Sequence, residues 1–236
     1  IQITAQDISC WGRDIGKSLP GLLNCIDDLP GRFMIRVGMM NPATVKGILD
    51  DLVEAFTSDR IFKFIHLPVQ SGSDAILDRM GRGYTVADFE EIVAAFKKRY
   101  PEITLATDMI VGFPGETKED FSESLELVDR VRPNKVNITR YSQRPFTPLF
   151  SKEDFPDWVK KDRSRIMNSR AEKVYASINA RCLEKQVPFL VTETIKKGSV
   201  MARSPNYLGI VINENLPVGH EGRAILKKDR KYFFMG

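Results

Sequence analysis

The polar residues able to do chemistry fall in five short clusters, each just behind an apolar run. They are Gln6 and Asp7; Arg36 and Gly38 ahead of Met39-Met40-Asn41-Pro42; His66-Leu67-Pro68-Val69-Gln70-Ser71-Gly72-Ser73; Asp108, Ile110, Gly112, Pro114 and Gly115 within Thr107–Thr117; and Tyr141-Ser142-Gln143-Arg144-Pro145, running on to Thr147-Pro148. Gln70-Ser71-Gly72-Ser73 offers hydroxyls, an amide and backbone N–H groups at a helix start, which suits a carboxylate or a phosphate. Gly112 and Gly115, flanking Pro114, let a backbone approach a flat ligand such as a purine. Gln6 and Asp7 suit ribose hydroxyls, and Arg36 suits a carboxylate. Plainer readings stand beside these: glycines behind strands make turns, His66 alone is commonly a hydrogen-bonded structural histidine, and Arg36 with Asp108 can form an ion pair. Two histidines leave few options for triad chemistry. Cys10, near Asp7, is either a reactive thiol or, more commonly, a small buried side chain. Asn137-Ile138-Thr139 is a formal glycosylation sequon inside a strand-like run and reads as coincidence.

The elements that position these clusters alternate. Apolar, β-rich runs at Ile1–Ala5, Arg32–Gly38, Ile61–Leu67, Ile103–Val111 and Lys135–Tyr141 are the pattern of parallel strands covered on both faces. Amphipathic helices lie between them. Asn41-Pro42 starts one, with Val45, Ile48, Leu49, Leu52, Val53 and Phe56 at helical spacing. Thr85 caps a second, ahead of Val86, Phe89, Ile92, Val93 and Phe96. Thr117-Lys118-Glu119-Asp120 resembles a capping box ahead of a third, and a short helix is expected around Ser73–Met80. Such alternation predicts βαβ units whose functional residues gather at the C-terminal edge of the sheet. Five strands are too few for a closed eight-stranded barrel. The chain opens without Met and inside a strand, so we expect it to be a piece of a longer protein lacking the first barrel unit.

Residues 155–185 read as one long, basic connecting helix. Residues 187–236 carry five short strands, Val187–Ile195, Val200–Arg203, Tyr207–Ile212, Gly222–Leu226 and Tyr232–Met235, the pattern of a small antiparallel barrel of the oligonucleotide-binding kind. Of 236 residues, 35 are Lys or Arg and 31 Asp or Glu, a net charge of +4. Residues 186–236 hold eight Lys/Arg against four Asp/Glu, so the whole excess sits there. A basic module on a neutral body suits RNA, since phosphate contacts dominate such affinity; a merely solvated lysine-rich surface is the bland reading. Three scattered cysteines (Cys10, Cys25, Cys182) exclude a disulfide framework or a sequence-local metal cage. No apolar run reaches the roughly 18 residues of a membrane helix. A cytoplasmic setting fits.

Together these runs resemble the radical S-adenosylmethionine methylthiotransferases. The residues that carry the resemblance are Thr4–Asp7 with Trp11-Gly12, Arg36 with Gly38–Pro42, His66–Ser73, Thr107–Thr117 and Tyr141–Pro145. The wording at Arg36–Pro42 and Thr107–Thr117 is most similar to the archaeal and eukaryotic members that methylthiolate N6-threonylcarbamoyladenosine beside the tRNA anticodon. The resemblance implies an α/β fold: a partial (β/α)6 radical-SAM barrel over 1–154, a connecting helix over 155–185, and a TRAM RNA-binding barrel over 186–236. It implies S-adenosylmethionine near Gln6, Asp7, Arg36, His66, Gln70, Ser71, Asp108, Ile110, Gly112 and Pro114. It implies tRNA at Tyr141, Arg144, Lys196, Lys197, Arg203, Lys227, Lys228 and Arg230. An electron donor, a sulfur donor and a monomeric protein are expected. The family also carries two [4Fe–4S] clusters, held by an N-terminal domain and a C-x-x-x-C-x-x-C loop. Neither is in this chain, and Cys10, Cys25 and Cys182 match no ligand position, so the chain by itself is expected to hold no metal and to be inactive. Phe146 stands where members usually have glycine, Ala5 and Ile8 replace the usual Gly and Thr, and Trp11 replaces Tyr. The rivals are a ribosomal-protein methylthiotransferase, for which an acidic C-terminal barrel is expected, a non-catalytic RNA-binding module, and an aldolase-like barrel, which would need a Schiff-base lysine or a metal site.

Overall fold

A computed structural model of the chain describes residues 1–146 and 154–236. Thr147 and Pro148 lie outside the described residues. The protein is of mixed α/β type. Its first part holds five parallel strands: β1 (Gln2–Ile3), β2 (Arg36–Val37), β3 (Phe64–His66), β4 (Thr104–Val111) and β5 (Lys135–Arg140). β1 pairs with β2, and β3, β4 and β5 pair in that order. Parallel bridges Ile35–Ile61 and Met39–His66 tie β2 to β3, so spatial order follows chain order. The expected strands are therefore present but shorter at their ends.

Among the described residues seven α-helices accompany them: α1 (Leu19–Asp27), α2 (Pro42–Val45), α3 (Leu49–Ala55), α4 (Asp74–Arg79), α5 (Val86–Arg99), α6 (Lys118–Val131) and α7 (Asp157–Ala180). Thr117 and Asp120 form the capping box of α6, and Thr85 with Asp88 forms another on α5. The single helix expected after Pro42 is interrupted by a 3-10 turn at Lys46–Ile48, where Gly47, a poor helix former, removes the side-chain support a helix interior needs. The sequence reading also passed over α1, whose signals are Ser18 as cap and Pro20 in the first turn.

The second part holds β6 (Gln186–Lys196), β7 (Ser199–Arg203), β8 (Gly209–Ile212), β9 (Glu221–Ile225), β10 (Lys228–Asp229) and β11 (Phe233–Met235). β9 and β10 are one run, interrupted at Leu226-Lys227. β9 pairs with β6 and β10 with β11, so the order β6-β7-β8-β11-β10/β9 returns to β6. Phe189, Val191, Val200, Ala202, Ile210, Ile212, Leu226 and Phe234 fill this ring.

Side chains alternate across strands, so the parallel sheet has two distinct faces. Ile65, Leu105, Met109 and Val111 point into the main core with Leu127, Val128 and Phe96 from the helices. Met167, Ala171, Val174 and Tyr175 of α7 join that core; the basic helix is thus a packed layer on β5 and α6 as well as a link. Phe62, Phe64 and Ala106 point the other way and meet Leu190 and Tyr207 of the second part. Lys63 N–H donates to Pro205 O at 2.8 Å, and Asn206 Nδ2 donates to Glu102 O at 3.1 Å, joining the two parts at the same seam.

Candidate functional site

The strand-end clusters do lie along one edge, but the structure gives several of them other work. Asp7 caps a 3-10 turn at Ile8–Cys10. Its carboxylate accepts from Ser9 N at 3.0 Å, Asn41 N at 3.1 Å, Thr44 Oγ1 at 2.8 Å and Cys10 Sγ at 3.1 Å. Burial alone would raise its pKa, but these donors outweigh that and hold it below the ordinary value. Asp7 therefore pins the end of β1 to the start of α2, and its lone pairs are spent there. Burial and the adjacent Asp7 carboxylate push the Cys10 thiol up, and its Sγ donates to Asp7, as a structural cysteine does. Gln6 is exposed beside it.

Ser71 is fully buried, and its Oγ accepts from Ser73 N at 3.2 Å. Gly72 N donates to Ser124 Oγ of α6 at 2.8 Å. Ser73 Oγ donates to Asp120 Oδ1 at 2.5 Å, so the backbone and hydroxyl donors of Gly72 and Ser73 are engaged internally. Gln70 adopts φ 72° while bridging to Met109, a left-handed backbone that a non-glycine residue takes only when its surroundings impose it.

The open side expected at Gly112 is filled by the protein itself. A Cβ there would lie 2.4 Å from Lys160 Cγ of α7, and one at Gly115 would lie 2.4 Å from Arg79 Nη1. The glycines make room for these side chains; Pro114 is buried. Lys160 is 5% exposed and its Nζ reaches Asp154 at 2.8 Å and Asp157 at 3.6 Å. Glu116, 1% exposed, accepts from Gly112 N at 2.8 Å and pairs with buried Arg163. Sequence reasoning missed Lys160 and Arg163; their three-residue spacing, which puts both on one helix face, is the signal that was available.

The inner face of the sheet brings together what the sequence kept apart. His66 Nε2 lies 2.9 Å from Asp108 Oδ1, and Asn137 Nδ2 donates to the same oxygen at 2.7 Å. Burial opposes ionisation of Asp108, yet these hydrogen bonds and nearby Lys135 hold its pKa below the ordinary value. Asn137 is thus the partner of Asp108, aligned by β4–β5 register, where sequence alone offered only a sequon. Arg36 does not pair with Asp108. Its guanidinium lies 4.8 Å from the Phe64 ring centroid and 5.5 Å from that of Tyr207, with Gln2 Oε1 at 3.4 Å. Arg36, His66 and Asn137 line a cavity of about 380 Å³ together with Gln2, Lys135, Arg203, Tyr207, Lys231 and Tyr232.

Other candidates are elsewhere. Ile110 follows Asp108 on the inner face. Tyr141 meets Phe113 edge to face at 5.3 Å and lines, with Lys160, a separate hollow of about 630 Å³. Arg144 is exposed. Lys196 and Lys197 sit at the turn after β6, whereas Lys227, Lys228 and Arg230 lie beyond the end of β9, which pairs with the opposite end of β6. Arg203 is not on the outer basic surface: it packs 4.7 Å from the Tyr207 ring at the seam, with Glu193 at 3.7 Å.

Residues 17–128 match the family model described as the radical SAM superfamily. Over that stretch the chain is similar to the radical SAM superfamily. The chain is similar to proteins named threonylcarbamoyladenosine tRNA methylthiotransferase. It is 46% identical to the probable enzyme of that name from Pyrococcus abyssi over 100% of this chain and 55% of that protein. It is 36% identical to the Homo sapiens enzyme over 91% of this chain and 37% of that protein. A solved structure of the radical SAM enzyme coproporphyrinogen III oxidase from Escherichia coli aligns with 60% of this chain and 32% of its own, at 19% identity and a TM-score of 0.45. The chain spans about half the length of the curated relatives it matches most fully.

The radical SAM superfamily that the family model describes implies S-adenosylmethionine and an iron–sulfur cluster. The described residues do not fit the cluster: Cys10 bonds Asp7, Cys25 is exposed on α1, and Cys182 packs against the second core. No group of three or more His, Cys, Asp or Glu able to hold a metal occurs among the described residues. No helix among them is long and apolar enough to cross a membrane.

Proposed function

We propose that this chain is the sheet-and-RNA-binding part of a tRNA methylthiotransferase that acts on N6-threonylcarbamoyladenosine. The observation that carries the reading is the similarity to relatives of that name along 91–100% of the chain. In this reading the parallel part is a partial (β/α)6 barrel and the second part a TRAM module, with the boundaries at 154 and 186. The closing of β6 through β11 into one ring supports the second assignment. The reading also assigns a tRNA substrate, a reductant, a sulfur donor and a cytoplasmic setting.

The bound cofactors supply the radical chemistry; the protein binds and orients. Because the cysteines present do not converge, no step is routed through a cluster on this chain. What its own residues do is position. Asp108, held ionised by His66 and Asn137, fixes the inner face. Gln6, Gln70 and Ile110 remain the edge residues open to S-adenosylmethionine, whereas Asp7, Ser71 and Gly112 act as structural supports. Tyr141 and Arg144, at the end of β5, are assigned to the RNA base by stacking and pairing. The net +4 of residues 186–236 favours RNA over a basic ribosomal protein as substrate. The test is to incubate the intact protein, loaded with cluster, with S-adenosylmethionine, a reductant and tRNA, and to analyse the nucleosides. A methylthiolated N6-threonylcarbamoyladenosine is expected; methylthiolation of a ribosomal protein with unmodified tRNA would reverse the choice.

A further inference from the structure

The cavity between the sheet's inner face and the second part is an unusual surface for one polypeptide to enclose. Four of its lining residues are Lys or Arg, and none of the described residues lining it is acidic. Two of those cations have carboxylate partners: Lys231 with Glu172 at 2.6 Å, and Arg203 with Glu193 at 3.7 Å. Arg36 and Lys135 have no carboxylate within ion-pair distance among the described residues. Arg36 is held only by the Phe64 and Tyr207 rings and by Gln2, and Lys135 lies 5.9 Å from the Tyr232 ring. Asp108, bonded to His66 and Asn137, lies near enough to Lys135 to offset part of its charge, but Arg36 has no acid in contact among the described residues, and a cation in a half-enclosed site favours an anion. The rings beside it offer faces to a planar group, and Tyr232 is 52% exposed. About 380 Å³ suits one nucleotide and excludes a duplex.

We propose that this cavity is a subsite for a single unpaired nucleotide of an RNA strand, its phosphate held by Arg36 and Lys135 and its base stacked at Tyr232. The RNA origin of the nucleotide rests on the proposed function; the nucleotide chemistry does not. Stacking is tolerant of base identity, because every base has a π-face, so the subsite adds affinity rather than sequence choice. It also gives the seam at Tyr207 a role: the sheet contributes the two cations, Arg36 and Lys135, and the ring the stacking face of Tyr232.

The test is calorimetric titration of the intact protein with UMP and with uridine. A pyrimidine probe keeps the measurement clear of any adenine site. UMP is expected to bind about tenfold tighter than uridine, the scale of one charge-assisted phosphate contact. Lys135→Gln, at an exposed position, is expected to remove that margin while leaving uridine unchanged, and Arg36→Gln to do the same. Equal affinity for UMP and uridine, or a margin untouched by Lys135→Gln, overturns the proposal. UMP binding of this pattern in a protein that leaves tRNA unmodified would sink the proposed function and keep the subsite; tRNA modification without UMP binding would do the reverse.

Discussion

The two faces of the parallel sheet are built from the same strands and alternate residues, yet they are different materials. On β4, Leu105, Met109 and Val111 face the helices and are essentially water-free, while Thr104, Ala106, Asp108 and Ile110 face the opposite way. The helix side is a continuous apolar core reaching from Ile8 to Tyr175. The inner side is polar at its centre, where His66, Asp108 and Asn137 meet, and aromatic at its seam with the second part. One face is apolar throughout, and the other keeps hydrogen-bonded polar groups at its centre.

Substitutions can break or sharpen that contrast. The largest effect is expected from Arg163→Met on the helix side, which strands the Glu116 carboxylate in a buried site; about 3–5 kcal/mol of stability should be lost in urea unfolding. Leu105→Ala, at a fully buried position, should cost about 2–5 kcal/mol by the same measurement. Equal losses from Leu105→Ala and from Asp108→Asn would erase the difference between faces. On the ring, Lys227→Glu with Lys228→Glu should weaken tRNA binding and flatten its salt dependence by about one to two counterions, while stability shifts by under about 0.5 kcal/mol.

Asp108→Asn should act through pH. The folded pKa of Asp108 lies below its unfolded value, so the ionised carboxylate stabilises the fold above the unfolded pKa and loses that contribution as pH falls through the folded one. The stability gap between the native protein and Asp108→Asn should therefore be present at neutral pH and close under acid; a gap that widens on acidification would contradict the assigned hydrogen bonds. The smallest effect is expected at Phe146, an exposed residue with φ 63°. Phe146→Gly should gain about 0.5 kcal/mol by relieving a left-handed backbone, offset in part by the freedom glycine adds to the unfolded chain.

Much of the helix-side architecture was legible because it follows from periodicity and caps. Val86, Phe89, Ile92, Val93 and Phe96 fall on one helix face whatever else the chain does, and Thr117 with Asp120 announces its own hydrogen bonds. The candidate site was less legible. That Gly112 serves Lys160, or that Ser71 turns inward to α6, depends on contacts between residues 48 and 53 positions apart, which no local pattern encodes. Arg36 was expected to meet a carboxylate, and the structure gives it none among the described residues. Its real neighbours, Phe64 and Tyr207, belong to elements whose packing only the assembled fold decides.

The most direct test is photocrosslinking of tRNA substituted with 4-thiouridine to the intact protein, with the attached peptides mapped by mass spectrometry. Crosslinks on the segments carrying Lys135–Arg140, Tyr207 and Tyr232 are expected, because these line the inner face and its seam. Crosslinks confined to the helix-side segments, Val86–Arg99 and Lys118–Val131, would contradict the division of labour between the two faces.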